Sequence, residues 1–100
     1  FLQTVVHVFI SKTQKILDAM RTALANREYG ALKELAHMVK GSSGNVGAEA
    51  LHEVCREILL CEQDKLELSG DELLRRANAS FKSARILLLQ YLGGANRISI

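Results

Sequence analysis

No proline interrupts the 100 residues of this chain, and its apolar residues recur at intervals of three and four. That interval matches the turn of an α-helix, whereas no stretch alternates apolar and polar residues as a half-buried strand does. Leucine, alanine, glutamate, lysine and arginine, which the chain uses freely, also favour helix over sheet. The chain is therefore predicted to be all-α.

The helix boundaries follow from the apolar spacing and from the turn residues. The first helix is predicted over Leu2–Ala25 and the second over Tyr29–Val46, ending at Gly47, because glycine best adopts the left-handed conformation past a helix end. A third helix is predicted over residues 48–62. The fourth is predicted to begin at residues 69–72 (Ser-Gly-Asp-Glu), which have the spacing of a capping box. Its predicted core face consists of Leu73, Ala77, Phe81, Ala84, Leu88 and Tyr91.

Short connections between such helices make each one an antiparallel neighbour of the helix before it. The predicted fold is therefore an antiparallel up-down-up-down four-helix bundle. With 48% hydrophobic and 5% aromatic residues, a chain of this length suits one small aliphatic core. We predict a single bundle over residues 1–92, followed by a flexible C-terminal tail over residues 93–100 that begins with two glycines.

The second predicted helix has one apolar side and one nearly bare side. His37 points about 150° away from the middle of the apolar arc, with Gly41 and Gly44 one and two turns further on and Lys40 on the flank. Glycine inside a helix costs roughly 1 kcal/mol relative to alanine, so this stripe indicates that a macromolecule or a phosphoryl group must come close. The apolar arc consists of Leu32, Leu35, Ala36, Val39, Ser43 and Val46.

This pattern resembles the signature of histidine-containing phosphotransfer (HPt) domains of multistep two-component signalling. The resemblance extends over roughly residues 1–92. It implies a four-helix bundle in which His37 accepts a phosphoryl group from a receiver-domain aspartyl phosphate and passes it to another receiver aspartate. It assigns neutralisation of the phosphoryl charge to Lys40 and clearance to Gly41. The residues that carry it are His37-x-x-Lys40-Gly41-Ser42-Ser43, Gly47-Ala48, Leu51 and Cys55.

The resemblance also implies partners. These are response-regulator receiver domains, which supply the aspartate and the Mg²⁺, so no cofactor is expected in this domain. Docking is expected around His37, using Met38, Gly44 and the exposed Val8 of the first helix. We expect a phosphocarrier with little catalysis of its own, belonging to the C-terminal part of a hybrid sensor histidine kinase. It is expected to be a monomer in the cytoplasm, either free or tethered to a membrane-bound sensor.

One position departs from the family pattern. Many HPt domains carry glutamine or glutamate at the position of Leu59, where it hydrogen bonds to the histidine or its phosphate. Either His52 or Arg56, on the same predicted helix, is left as a replacement that could orient the imidazole. The alternative function is a helical protein-binding module of the same fold without phosphotransfer.

Spacing and charge argue against other chemistries. His7, His37 and His52 lie on three different predicted helices, and no His-x-x-x-His or Cys-x-x-Cys pair is present, which argues against zinc. The sequence 40–42 (Lys-Gly-Ser) lies in the middle of a helix rather than after a strand, which excludes a phosphate-binding loop. A net charge of +2 without a basic stripe argues against nucleic acid, and no run approaches the ~20 apolar residues of a membrane span. The two cysteines lie six apart on one helix, a spacing that does not suit a disulfide.

Overall fold

The computed structural model describes the backbone of residues 2–98 and the side chains of residues 2–93. Its four helices are α1 (Leu2–Ala25), α2 (Tyr29–Asn45), α3 (Glu49–Leu60) and α4 (Gln63–Ile98), and this part of the chain contains no strand. The all-α prediction is confirmed, and α1 to α3 lie within two residues of their predicted bounds. Within the same residues, no helix is both long enough and apolar enough to cross a membrane.

The two turns that flank α2 are closed in the same way. After α2, Gly47 has a left-handed backbone (φ 75°), and the N–H of Ala48 donates to the carbonyl of Ser43 at 2.9 Å. The same pair of features closes α1, where Arg27 has φ 58°. This arrangement satisfies carbonyls that a helix end would otherwise leave without donors. The prediction that Gly47 ends the second helix is confirmed.

Two contacts between α1 and α4 give the relative direction of these helices. Phe9, early in α1, meets Phe81 edge-on with ring centroids 6.2 Å apart, whereas Leu24, late in α1, lies against Gly70. Residues later in α1 therefore contact residues earlier in α4, so the two helices are antiparallel. Connections of two or three residues join the successive helices, as an up-down-up-down bundle requires. The largest fully buried side chains of the core are Leu17, Met20, Leu32, Leu51, Ile58 and Leu66.

The predicted start of α4 is wrong, because the helix begins at Gln63 and runs without interruption through residues 69–72. Leu66 is fully buried, so the turn before Gly70 already contributes to the core. A Cβ on Gly70 would lie 2.7 Å from a methyl carbon of Leu24. The glycine at this position therefore allows α4 to approach α1 closely, and it does not mark a helix end.

The far end of α4 also differs from the prediction. Tyr91 is 64% exposed, and the buried residue in this turn is Leu92, four residues beyond the half-buried Leu88. The helix continues to Ile98, so it does not end at residue 92. At about 1.5 Å per residue, its 36 residues account for the 54 Å length of the molecule. The flexibility predicted for residues 93–100 stays a prediction, and residues 99–100 lie outside the described part.

Candidate functional site

His37 lies on the solvent side of α2. Its ring is exposed, whereas its neighbours Ala36 and Val39 are completely buried. No described residue forms a hydrogen bond to the His37 ring. The predicted division of α2 into a core side and a bare side is therefore confirmed.

Lys40 and Gly41 follow His37 by one turn. Lys40 is half-buried, and no carboxylate of a described residue forms an ion pair with it. A Cβ on Gly41 would meet nothing within 4 Å, so the space beside His37 is open. Residues three and four apart on a helix are surface neighbours, so the imidazole, the ammonium group and this gap form one patch. We refer to His37, Lys40 and Gly41 together as the α2 patch.

Gly44, two turns beyond His37, is not open in the same way. A Cβ there would lie 3.5 Å from Nδ1 and 3.8 Å from Cε1 of His52 on α3. The same Nδ1 lies 2.9 Å from the carbonyl oxygen of Lys40. The His52 ring therefore bridges α3 to the backbone of α2. His52 was one of two residues expected to orient the imidazole of His37, but its contact is to the backbone of Lys40.

Arg56 lies one turn beyond His52 on α3, and it likewise forms no hydrogen bond with His37. Its guanidinium donates to the carboxylate of Glu53 at 2.7 Å, which lowers the pKa of Glu53. In the next turn Arg76 of α4 donates to Glu57 at 2.6 Å, and this hydrogen bond lowers the pKa of Glu57. Both ion pairs are about half exposed. One is confined to α3, and the other joins α3 to α4.

Leu59, where many HPt domains carry a polar residue, is partly buried and packs against the hydrophobic core. The polar group absent from this position is therefore not replaced by His52 or Arg56 in the free domain. Among the described residues nothing holds the His37 ring, and its orientation is left to solvent and to any bound partner.

An open groove between α1 and α2 lies next to the α2 patch. Its volume is about 350 Å³, and Val5, Val8, Met38 and Ser42 are among the residues that line it. Val8 is 46% exposed and Met38 is 55% exposed. Exposed apolar side chains around a polar centre are typical of interfaces that form and dissociate. The role of Val8, Met38 and Gly44 in docking stays a prediction.

The cysteines and acidic residues form no second centre in the described part of the chain. Cys55 is completely buried, and burial raises the pKa of its thiol to about 12, so it is protonated and unreactive. Cys55 and Cys61 are both free cysteines, in agreement with the spacing argument against a disulfide. Over the described residues, no group of three or more histidine, cysteine, aspartate or glutamate side chains could hold a metal ion.

Comparisons with known proteins bear on the α2 patch. A family model described as Hpt domain matches residues 4–92, which includes α2, α3 and the whole α2 patch. Comparison with curated proteins and with solved structures gives no match.

Proposed function

The chain belongs to the family of Hpt domains, which act in phosphotransfer of two-component signalling and interact with receiver domains, and we propose that His37 is its phosphoacceptor. The observation that carries this proposal is the exposed imidazole of His37 beside the empty space over Gly41. A phosphoryl donor carried by another protein requires such access. In this proposal the domain accepts the group from one receiver aspartate and passes it to another.

The transfer step requires a neutral imidazole with a free lone pair. One ring nitrogen of His37 attacks the phosphorus of the aspartyl phosphate, so an N–P bond forms while the P–O bond breaks. The receiver aspartate leaves as a carboxylate, and the other ring nitrogen retains its proton until solvent removes it. Transfer to the next receiver reverses these bond changes, which makes the phosphoimidazole a relay intermediate.

Lys40 and Gly41 support this step in different ways. Phosphoryl transfer passes through a loose transition state whose charge is spread over the equatorial oxygens, so positioning and electrostatics supply most of the catalysis. The ammonium group of Lys40, which no described carboxylate neutralises, is available to stabilise that charge. Gly41 leaves room for the edge of the receiver active site.

The partner supplies the remaining components. We propose that the receiver provides both the aspartate and the Mg²⁺, and that this domain has no cofactor of its own. Val8, Met38 and the groove between α1 and α2 are the proposed docking surface. We further propose that the domain is a monomer in the cytoplasm and part of a hybrid sensor kinase. Nucleic acid and membrane lipid are not among its proposed partners.

The test is incubation of the domain with a panel of phosphorylated receiver domains. The expected result is acid-labile, alkali-stable phosphate on the wild type and none on His37→Gln. Since glutamine keeps a polar side chain of similar length, circular dichroism should show the same helix content in both. Label on folded His37→Gln would place the phosphoacceptor elsewhere.

A second function is supported by Leu59 alone. If the missing polar group at this position means that phosphotransfer has been lost, the domain is a binding module that recognises receivers without modification. His37→Gln then keeps receiver binding, measured by calorimetry, and the wild type takes up no phosphate from any receiver in the panel.

A further inference from the structure

The second half of α2 consists of residues that form helix poorly. Residues 41–45 are Gly-Ser-Ser-Gly-Asn, and glycine is the weakest helix former after proline. The hydroxyl of Ser42 lies 3.2 Å from the carbonyl oxygens of Met38 and Val39, a local bond that does not stiffen a helix. This segment begins immediately after Lys40. Its helical conformation therefore depends on contacts made from outside α2.

His52 supplies such a contact at a specific point. Because a carbonyl oxygen only accepts hydrogen bonds, Nδ1 of His52 is the donor in its 2.9 Å contact with Lys40. In a regular helix the same carbonyl also accepts the N–H of Gly44, and the His52 ring lies over Gly44. The ring thus adds a second donor to this carbonyl. Both the neutral and the cationic ring carry the Nδ1 hydrogen when this bond is present.

We propose that His52 is a positioning residue for phosphoryl transfer, acting through the backbone of Lys40. This inference rests on the proposed function of His37. By fixing the Lys40 carbonyl, His52 fixes the start of the Lys40 side chain, which lies one turn from His37. The ammonium group of Lys40 then occupies a smaller range of positions around the phosphoryl group. His52 itself does not contact the reacting atoms.

The test uses phosphoramidate as donor, because so small a molecule requires no docking surface. A ring nitrogen of His37 forms the N–P bond, the P–N bond of phosphoramidate breaks, and ammonia leaves as ammonium with the displaced ring proton. The rate is followed from the NMR signals of His37 in wild type, His52→Ala and His52→Asn. Asparagine places its amide nitrogen close to the position of Nδ1 and so can restore the donor. His7→Ala, which removes an exposed histidine of α1, is the matched control.

His52→Ala is expected to lower the rate about three- to tenfold, the range that one hydrogen bond supplies. His52→Asn should return it to within about twofold of wild type, and His7→Ala should leave it unchanged. In a Lys40→Ala background, His52→Ala should have no further effect, because the side chain that it positions is gone. An unchanged rate in folded His52→Ala, or an equal loss in both backgrounds, would overturn the proposal.

Amide hydrogen exchange at residues 41–45 provides a second measurement. Faster exchange is expected in His52→Ala and protection close to wild type in His52→Asn, with the rest of α2 unchanged. Equal exchange in all three proteins overturns the claim that His52 holds this segment. If the wild type takes up no phosphate from phosphoramidate or from any receiver, the proposed function has failed, and the positioning role falls with it. The exchange data would then show only whether His52 stabilises residues 41–45.

Discussion

Replacing Gly41 with alanine should stabilise the domain and impair its proposed function. Gly41 lies inside α2, four residues before its end, and a Cβ there meets nothing within 4 Å. No steric penalty therefore offsets the helix propensity of alanine, which exceeds that of glycine by about 1 kcal/mol. For a domain of this size, a gain of 1 kcal/mol raises the melting temperature by about 4–8 °C.

The same methyl group should obstruct the receiver. Side chains on a helix tilt toward its N-terminus, so the new methyl group leans toward His37, one turn earlier. Displacing the reacting groups by about 1 Å can cost on the order of 100-fold in rate. We expect transfer from a phosphorylated receiver to fall between about 10- and 100-fold. Phosphoramidate is too small to meet the methyl group, so its rate should stay within about twofold of wild type.

Urea unfolding, a thermal melt and single-turnover transfer from both donors measure these effects. Gly30→Ala is the functional control, since it adds a methyl group to the same helix at another site with open space. It should leave both transfer rates unchanged. A Gly41→Ala domain that is less stable would refute the argument from open space. A more stable domain that still receives phosphate from the receiver at the wild-type rate would refute the clearance role.

Three further predictions concern the fold. Ser43→Ala should raise the free energy of unfolding by about 1 kcal/mol in urea titrations. The reason is that Ser43 is completely buried and its hydroxyl has no hydrogen-bond partner within the described structure. A loss of stability would mean that the hydroxyl has a partner. Arg27→Gly should raise the free energy of unfolding by about 0.5–1 kcal/mol, because Arg27 has a left-handed backbone that glycine adopts without strain, and a lower melting temperature would contradict this. The hydrogen bond with Arg76 lowers the pKa of Glu57 in the folded domain. The stability that this bond contributes is therefore complete above the pKa that Glu57 has in the unfolded chain. It is lost as the pH falls through the lower pKa of the folded domain. Arg76→Met should therefore lose less stability than wild type when urea titrations are repeated from about pH 5 down to about pH 3, and parallel pH profiles would show that the pair contributes nothing.

The sequence predicted those features that depend on one helix at a time. The bounds of α1 and α2 follow from apolar spacing and from Gly47, whose left-handed backbone is a local property. The exposure of His37 follows from the helical period alone. By contrast, Gly70 belongs to a local pattern that also suits a helix start. Only the position of Leu24, 46 residues earlier in the chain, shows why a glycine is needed there.

His52 illustrates the same limit at the candidate site. Its contact with Lys40 depends on the register between α2 and α3, which the spacing of residues within α3 does not specify. A histidine on the flank of an amphipathic helix is usually an ordinary polar residue. The available signal was indirect: residues 41–45 form helix poorly, and a helix of such composition requires support from a neighbour.

The exposed side of α2 explains why residues 41–45 need supporting contacts. Glycine at positions 41 and 44 removes side chains from the turns that follow His37, and the resulting cost in helix propensity is concentrated in residues 41–45. In the structure that segment is held from three sides: by the buried Ser43, by the turn at Gly47 and by His52. None of these contacts is made to the ring of His37 or to the ammonium group of Lys40. Two kinds of substitution should therefore have opposite effects on the stability of the helix. A side chain added at Gly41 stabilises the helix and hinders transfer, whereas loss of a supporting contact weakens both.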